Sequence, residues 1–82
     1  MSSRKKNDSA MRKGFVLGGA DGIDFTKPDG SGYRRATMVV AERQCTVFRI
    51  PTSSHLDDVA MRRKARDIAR RFIKHDTNTL TW

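Results

Sequence analysis

The sequence predicts an α+β fold, a small three-stranded antiparallel sheet packed on one C-terminal amphipathic helix (β-β-β-α), preceded by a flexible basic N-terminal arm. Three observations predict it. Met61, Ala65, Ile68 and Phe72 recur at spacings of four, three and four, which places them on one helical face. Three segments, 23–27, 33–41 and 45–50, read as strands set off by turn residues. Residues 1–14 show no apolar period and hold few large side chains, so they bury too little to offset the entropy of ordering. The chain has 82 residues, of which 37% are apolar. That is enough for one small domain with a thin core. The expected division is a disordered basic arm at 1–14, a single α+β domain at 15–76 and a C-terminal tail at 77–82.

The elements follow in order. Phe15, Val16 and Leu17 form a short apolar run that suits either an edge strand or a packing anchor. The cluster Gly18-Gly19-Ala20-Asp21-Gly22 lacks the Lys-Ser/Thr of a phosphate loop and reads as a turn with glycines at positive φ. Ile23 to Lys27 alternates apolar and polar, as a strand does. Pro28-Asp29-Gly30-Ser31-Gly32 is the strongest turn signal, because proline presets φ and glycine accepts its positive values. In the long strand from Tyr33 to Ala41, Ala36, Met38 and Val40 share one face, and Tyr33, Arg35 and Thr37 share the other. Glu42-Arg43-Gln44 is expected to connect it, through a type I turn, to the strand Cys45–Ile50. There Phe48 and Ile50 fall on one face, so the expected core joins Met38, Val40, Phe48, Ile50, Ile68 and Phe72. Pro51 ends the strand. Ser54 is the expected N-cap of a helix over 54–75, with Asp57 three residues on as its capping partner. Of the tail, Leu80 and Trp82 are the residues with apolar surface to dock.

Charge points to a partner class. The formal net charge is +8. It gathers in the arm (five basic groups, one acid) and in residues 53–75 (seven basic, three acidic). The middle is nearly neutral. Such clustering is the footprint of a polyanion binder. Catalytic chemistry finds no support. Cys45 is the one cysteine, and neither His55 nor His75 stands at nucleophile or metal spacing from it. Asp21, Asp24 and Asp29 do not follow the calcium-loop pattern. The expectation is therefore no enzyme, no metal and no cofactor. No segment approaches the ~20 apolar residues of a membrane span, and no disulfide can form within the chain. The expected location is the cytoplasm, or a nucleoid or nucleus reached through nucleic acid.

Two surfaces compete for a nucleic acid. One is the open sheet face, with Arg35, Arg49 and the nearby Arg43, which could enter a major groove and pair with guanine. The other is the helix, where Arg63, Lys64, Arg66, Arg70, Arg71 and Lys74 can meet phosphates. Arg4, Lys5, Lys6, Arg12 and Lys13 of the arm could follow the backbone or enter a minor groove. Paired exposed aromatics are not expected on the sheet, which argues against a platform for single-stranded bases.

Over residues 22–75 the order of three strands and one helix resembles the AP2-type and integrase N-terminal domains, which read DNA through the sheet. The segment RRKARDIARRF resembles the second helix of double-stranded RNA-binding domains, where basic residues precede spaced alanines. The first helix of that fold has no expected counterpart here. The resemblances imply nucleic-acid binding, with DNA preferred to RNA on topology. The alternatives are a small phage- or plasmid-type inhibitor or adaptor docking on an acidic protein, and binding of double-stranded RNA. Arg and polar groups on the open sheet face would favour nucleic acid, whereas a contiguous apolar patch there would favour protein.

Overall fold

A computed structural model describes residues 8–28, 30–52 and 56–82. The class is α+β, but the order is α-β-β-β-α-β: α1 (Asp8–Leu17), β1 (Gly22–Phe25), β2 (Tyr33–Val40), β3 (Arg43–Pro51), α2 (Asp58–His75) and β4 (Thr79–Thr81). The sheet has four strands in the order β1-β2-β3-β4. The expected β-β-β-α arrangement therefore misses one helix and one strand.

Helix α1 replaces the second half of the expected arm, and Phe15–Leu17, expected as an edge strand or a packing anchor, ends that helix with Phe15 buried in the core. Arg12 and Lys13 thus stand on a helix. Its inward stripe is Ala10, Met11, Gly14 and Phe15, all buried. The stripe is hard to see in the sequence because glycine carries no hydrophobic signal and Arg12 and Lys13 interrupt it. Glycine is nevertheless required at Gly14, where an added Cβ would lie 2.6 Å from the Ala65 Cβ. One turn on, the same addition at Gly18 would lie 2.6 Å from the Ala69 Cβ. The two helices thus meet almost backbone to backbone, small residue against small residue. The helix ends in a Schellman motif: the Ala20 N–H donates to the Phe15 carbonyl (2.9 Å) and the Gly19 N–H to that of Val16 (3.0 Å). Gly19 supplies the positive φ (113°) that the motif needs.

In the sheet, β1 and β2 are antiparallel, with Ile23 opposite Met38. Strands β2 and β3 are antiparallel as well, joined by a tighter turn than expected. Val40 pairs with Arg43, so the connection is Ala41-Glu42 alone. Both residues have positive φ (49° and 68°), the signature of a type I′ hairpin, whose twist matches the strands. The Asp21 carboxylate accepts from the Ala41 N–H (2.8 Å) and fixes the turn from outside.

The register changes once. Ala36 pairs with Val47, but Arg34 pairs with Ile50, so Phe48 and Arg49 together stand opposite Arg35. This is a β-bulge, and Arg49 takes φ 61° within it. Its consequence is a change of side. Cys45, Val47 and Ile50 all point inward and are buried, while Phe48 is half-buried on the open face. Phe48 is therefore not in the core: it alternates outward from Val47, and the bulge turns Ile50 back inward without it. The other five expected core residues are buried.

The helix α2 begins at Asp58, and its N-cap is Asp57, whose carboxylate accepts from the Ala60 N–H (2.8 Å). The expected cap, Ser54, lies outside the described residues. Met61, Ala65, Ile68, Ala69 and Phe72 are buried, so the predicted stripe is the inner face. Asp76 closes the helix in a left-handed conformation (φ 51°), donating its N–H to the Phe72 carbonyl. The chain then returns as β4, parallel to β3, with Leu80 opposite Val47. Residues 79–81 are thus a strand of the sheet. A parallel neighbour needs a crossover, and α2 is that crossover. Trp82 packs against the core, its ring 6.3 Å from that of Phe15. Both helices cover one sheet face, and the other face is open.

Candidate nucleic-acid interface

The outer face of α2 is built by the same period that builds its inner one. Arg63, Arg70 and Lys74 lie within about 40° of one another on the side opposite the buried stripe, along about 16 Å of axis. Lys64 and Arg71 occupy one flank. Arg62, Arg66, Val59 and Ile73 occupy the flank toward α1. Arg63, Lys64, Arg70, Arg71 and Lys74 are exposed. Among the described residues, three acid–base pairs form: Arg34–Asp8, Arg43–Asp76 and Arg66–Asp67. None involves these five cations. Lys64 instead places its ammonium 5.1 Å above the Trp82 ring. Arg66 is half-buried, and its Nε has no hydrogen-bond partner; Asp67 Oδ1 stands 3.7 Å away.

The remaining predicted residues fall elsewhere. Arg12 donates to the Ile23 carbonyl (2.7 Å) and lies 5.2 Å over the Phe25 ring, so it ties α1 to β1. Lys13 is exposed on α1. Arg43 does not join the open sheet face. It pairs with Asp76 and lies 5.2 Å over Phe72, where it fastens the end of α2 to the start of β3. Arg35 and Arg49 are exposed on the open face, 5.9 Å from the Phe48 ring and 5.5 Å from the Tyr33 ring respectively. Arg4, Lys5 and Lys6 lie outside the described residues, as does His55.

Some contributors escaped the sequence reading. Arg34 sits on the inner face, forms a two-pronged pair with Asp8 and stacks 4.3 Å over Phe25. It anchors the start of α1, and its pairing across 26 positions leaves no local trace. Arg62, Arg63 and Arg66 edge a shallow groove floored by Leu17 and Val59; Arg12, Lys13 and Val16 continue it along α1. Val16 and Leu17 are 55% and 65% exposed, so aliphatic surface lies here, while the open sheet face carries the rings of Tyr33 and Phe48, where paired aromatics were not expected. Cys45 is buried, and burial raises its thiol pKa above the usual value, which keeps it protonated near neutral pH and a poor nucleophile. No group of acidic, His and Cys side chains among the described residues is placed to hold a metal. No helix among them is long and apolar enough to cross a membrane.

Compared with known proteins, the chain matches no protein family, no curated protein and no solved structure.

Proposed function

We propose that this protein binds the sugar–phosphate backbone of a nucleic-acid duplex through the outer face of α2, without catalysing a reaction. One observation carries the reading: five exposed cations stand on that face, and no described carboxylate pairs with them. A stripe about 16 Å long can reach phosphates on both sides of a groove. Duplex RNA is the favoured partner. A helix ahead of the sheet is what the resemblance to double-stranded RNA-binding domains requires, and α1 occupies that place. The same helix, with β4, removes the simple three-strand order on which a preference for DNA rested. Shape and backbone contacts dominate such recognition, so little sequence preference is expected.

The test is a titration of duplex RNA and duplex DNA at two salt concentrations. Affinity should fall steeply with salt through counterion release. Arg63→Ala, Arg70→Ala and Arg71→Ala combined should lower duplex affinity by at least about tenfold and flatten the salt slope by about two to three. Absence of duplex binding at low salt would overturn the reading.

A second reading is favoured by the groove between the helices. Exposed Val16, Leu17 and Val59 between Arg12, Lys13, Arg62, Arg63 and Arg66 suit an amphipathic helix with an acidic rim from a partner protein. Leu17→Asp would abolish that docking and leave duplex binding by Arg70 and Lys74 in place.

A further inference from the structure

The bulge in β3 builds a second site on the face of the sheet opposite α2. There Thr26, Lys27, Tyr33, Arg35, Phe48 and Arg49 line a depression of about 320 Å³, within the range of small-ligand sites. Its chemistry is of two kinds. Lys27, Arg35 and Arg49 bring three positive charges beside Arg34, whose own charge is paired with Asp8, and no described carboxylate lines it. Tyr33, 41% exposed, and Phe48 bring two aromatic rings. Each ring already carries a guanidinium, Arg49 on Tyr33 at 5.5 Å and Arg35 on Phe48 at 5.9 Å. A guanidinium over a ring can offer its plane to a base and its edge to an anion. Strict alternation from Val47 would point Arg49 inward, away from this site; the bulge keeps it on the open face beside Phe48. Arg49 is held at φ 61°, an unfavourable conformation for a residue with a side chain. Strain of this kind collects at functional sites.

From this pairing of rings and cations we infer that the depression binds a nucleoside phosphate, with the base stacked on the Tyr33–Arg49 and Phe48–Arg35 layers and the phosphate met by Lys27 and the guanidinium edges. The site goes beyond the duplex reading and lies on the other side of the molecule. Its ligand can be a free mononucleotide or an unpaired nucleotide of a strand; the chemistry is shared.

The test uses the full chain at low salt. A fluorescent single strand of about six nucleotides is titrated by anisotropy, then competed with nucleoside 5′-monophosphates and with inorganic phosphate. Phe48→Leu removes a ring and keeps an apolar side chain. Arg49→Gly removes the guanidinium and relaxes the backbone, and Arg35→Gln serves if Phe48→Leu fails to fold in a thermal melt. Each should lower single-strand affinity by about tenfold, the order of one lost stacking layer, while duplex affinity stays unchanged. Competition by monophosphates at the strand's own affinity identifies a free nucleotide as the ligand; much weaker competition identifies an unpaired nucleotide of a strand. The inference is overturned if the single strand does not bind. It is equally overturned if monophosphates compete no better than inorganic phosphate, or if these variants are silent while loss of Arg63, Arg70 and Arg71 abolishes single-strand binding. The duplex reading is judged separately, by the duplex titration.

Discussion

Arg49 shows how much one backbone angle can decide. Its left-handed conformation absorbs the extra residue of the bulge, and the bulge keeps Arg49 on the open face beside Phe48 and turns Ile50 inward. Nothing in the local sequence announces this: no glycine marks the position, so alternation was carried one residue too far. Glu42 holds a similar conformation for a different reason, the geometry of a two-residue hairpin. A side chain in the left-handed region costs about 1 kcal/mol or more, only partly offset by glycine's greater unfolded-state entropy. Glu42→Gly is therefore expected to stabilise the fold by about 0.5 kcal/mol, raising the melting temperature by about 2–4 °C. Cys45 makes a pH prediction. Its folded pKa is raised by burial, so the folded state holds the thiol proton more tightly than the unfolded chain does. That contribution is fully present below the unfolded thiol pKa of about 8.5 and is lost as pH rises through the folded value. Denaturant melts should show stability falling above about pH 8.5, with a shallower fall in Cys45→Val.

Among the elements, α2 was legible and α1 was not. In α2, Met61, Ile68 and Phe72 with Ala65 keep the period, an acid stands at the start and bases at the end. In α1 one inward position, Gly14, and the residue just past its end, Gly18, are glycine, so the packing is encoded by the absence of side chains. The core residues of β2 were legible because its alternation is unbroken; β4 was not, since three residues with one apolar side chain make too short a pattern. The recognition surface divides along the same line. The cations of α2 could be read from the period, and Tyr33, Arg35 and Arg49 of the open-face depression from alternation, whereas the outward place of Phe48 could not, since the bulge puts Phe48 and Ile50 on opposite faces. The helix contact is open to a direct test. Gly14→Val would drive two methyl groups into the Arg62 backbone and Ala65, where backbone cannot yield as a flexible side chain can. A loss of about 2–3 kcal/mol is expected by denaturant unfolding. Gly22→Ala, where an added Cβ meets nothing within 4 Å, should change stability by less than about 0.5 kcal/mol.

Taken whole, the molecule has two unlike outer sides. One presents the cations of α2, and the other presents the open sheet with its ringed depression. The sheet separates them, and their substitutions should act independently, since well-separated sites with no shared partner add in free energy. The two layers depend on fastenings remote in sequence: Arg34 with Asp8, Arg43 with Asp76, and Trp82 against Phe15. Trp82→Ala is expected to lower stability by about 2 kcal/mol by calorimetry, because it strips the partly buried ring from Phe15 and from the Lys64 ammonium.

The strand β4 has a further consequence, for solubility. The two inner strands, eight and nine residues long, carry enough unpaired backbone to recruit another chain if either were left at an edge. Each is instead flanked by a short strand, four residues in β1 and three in β4, too short to template much pairing. Removal of residues 79–82 would bare the outer edge of β3 beside the apolar Val47. The shortened chain should then self-associate at concentrations where the full chain scatters no light.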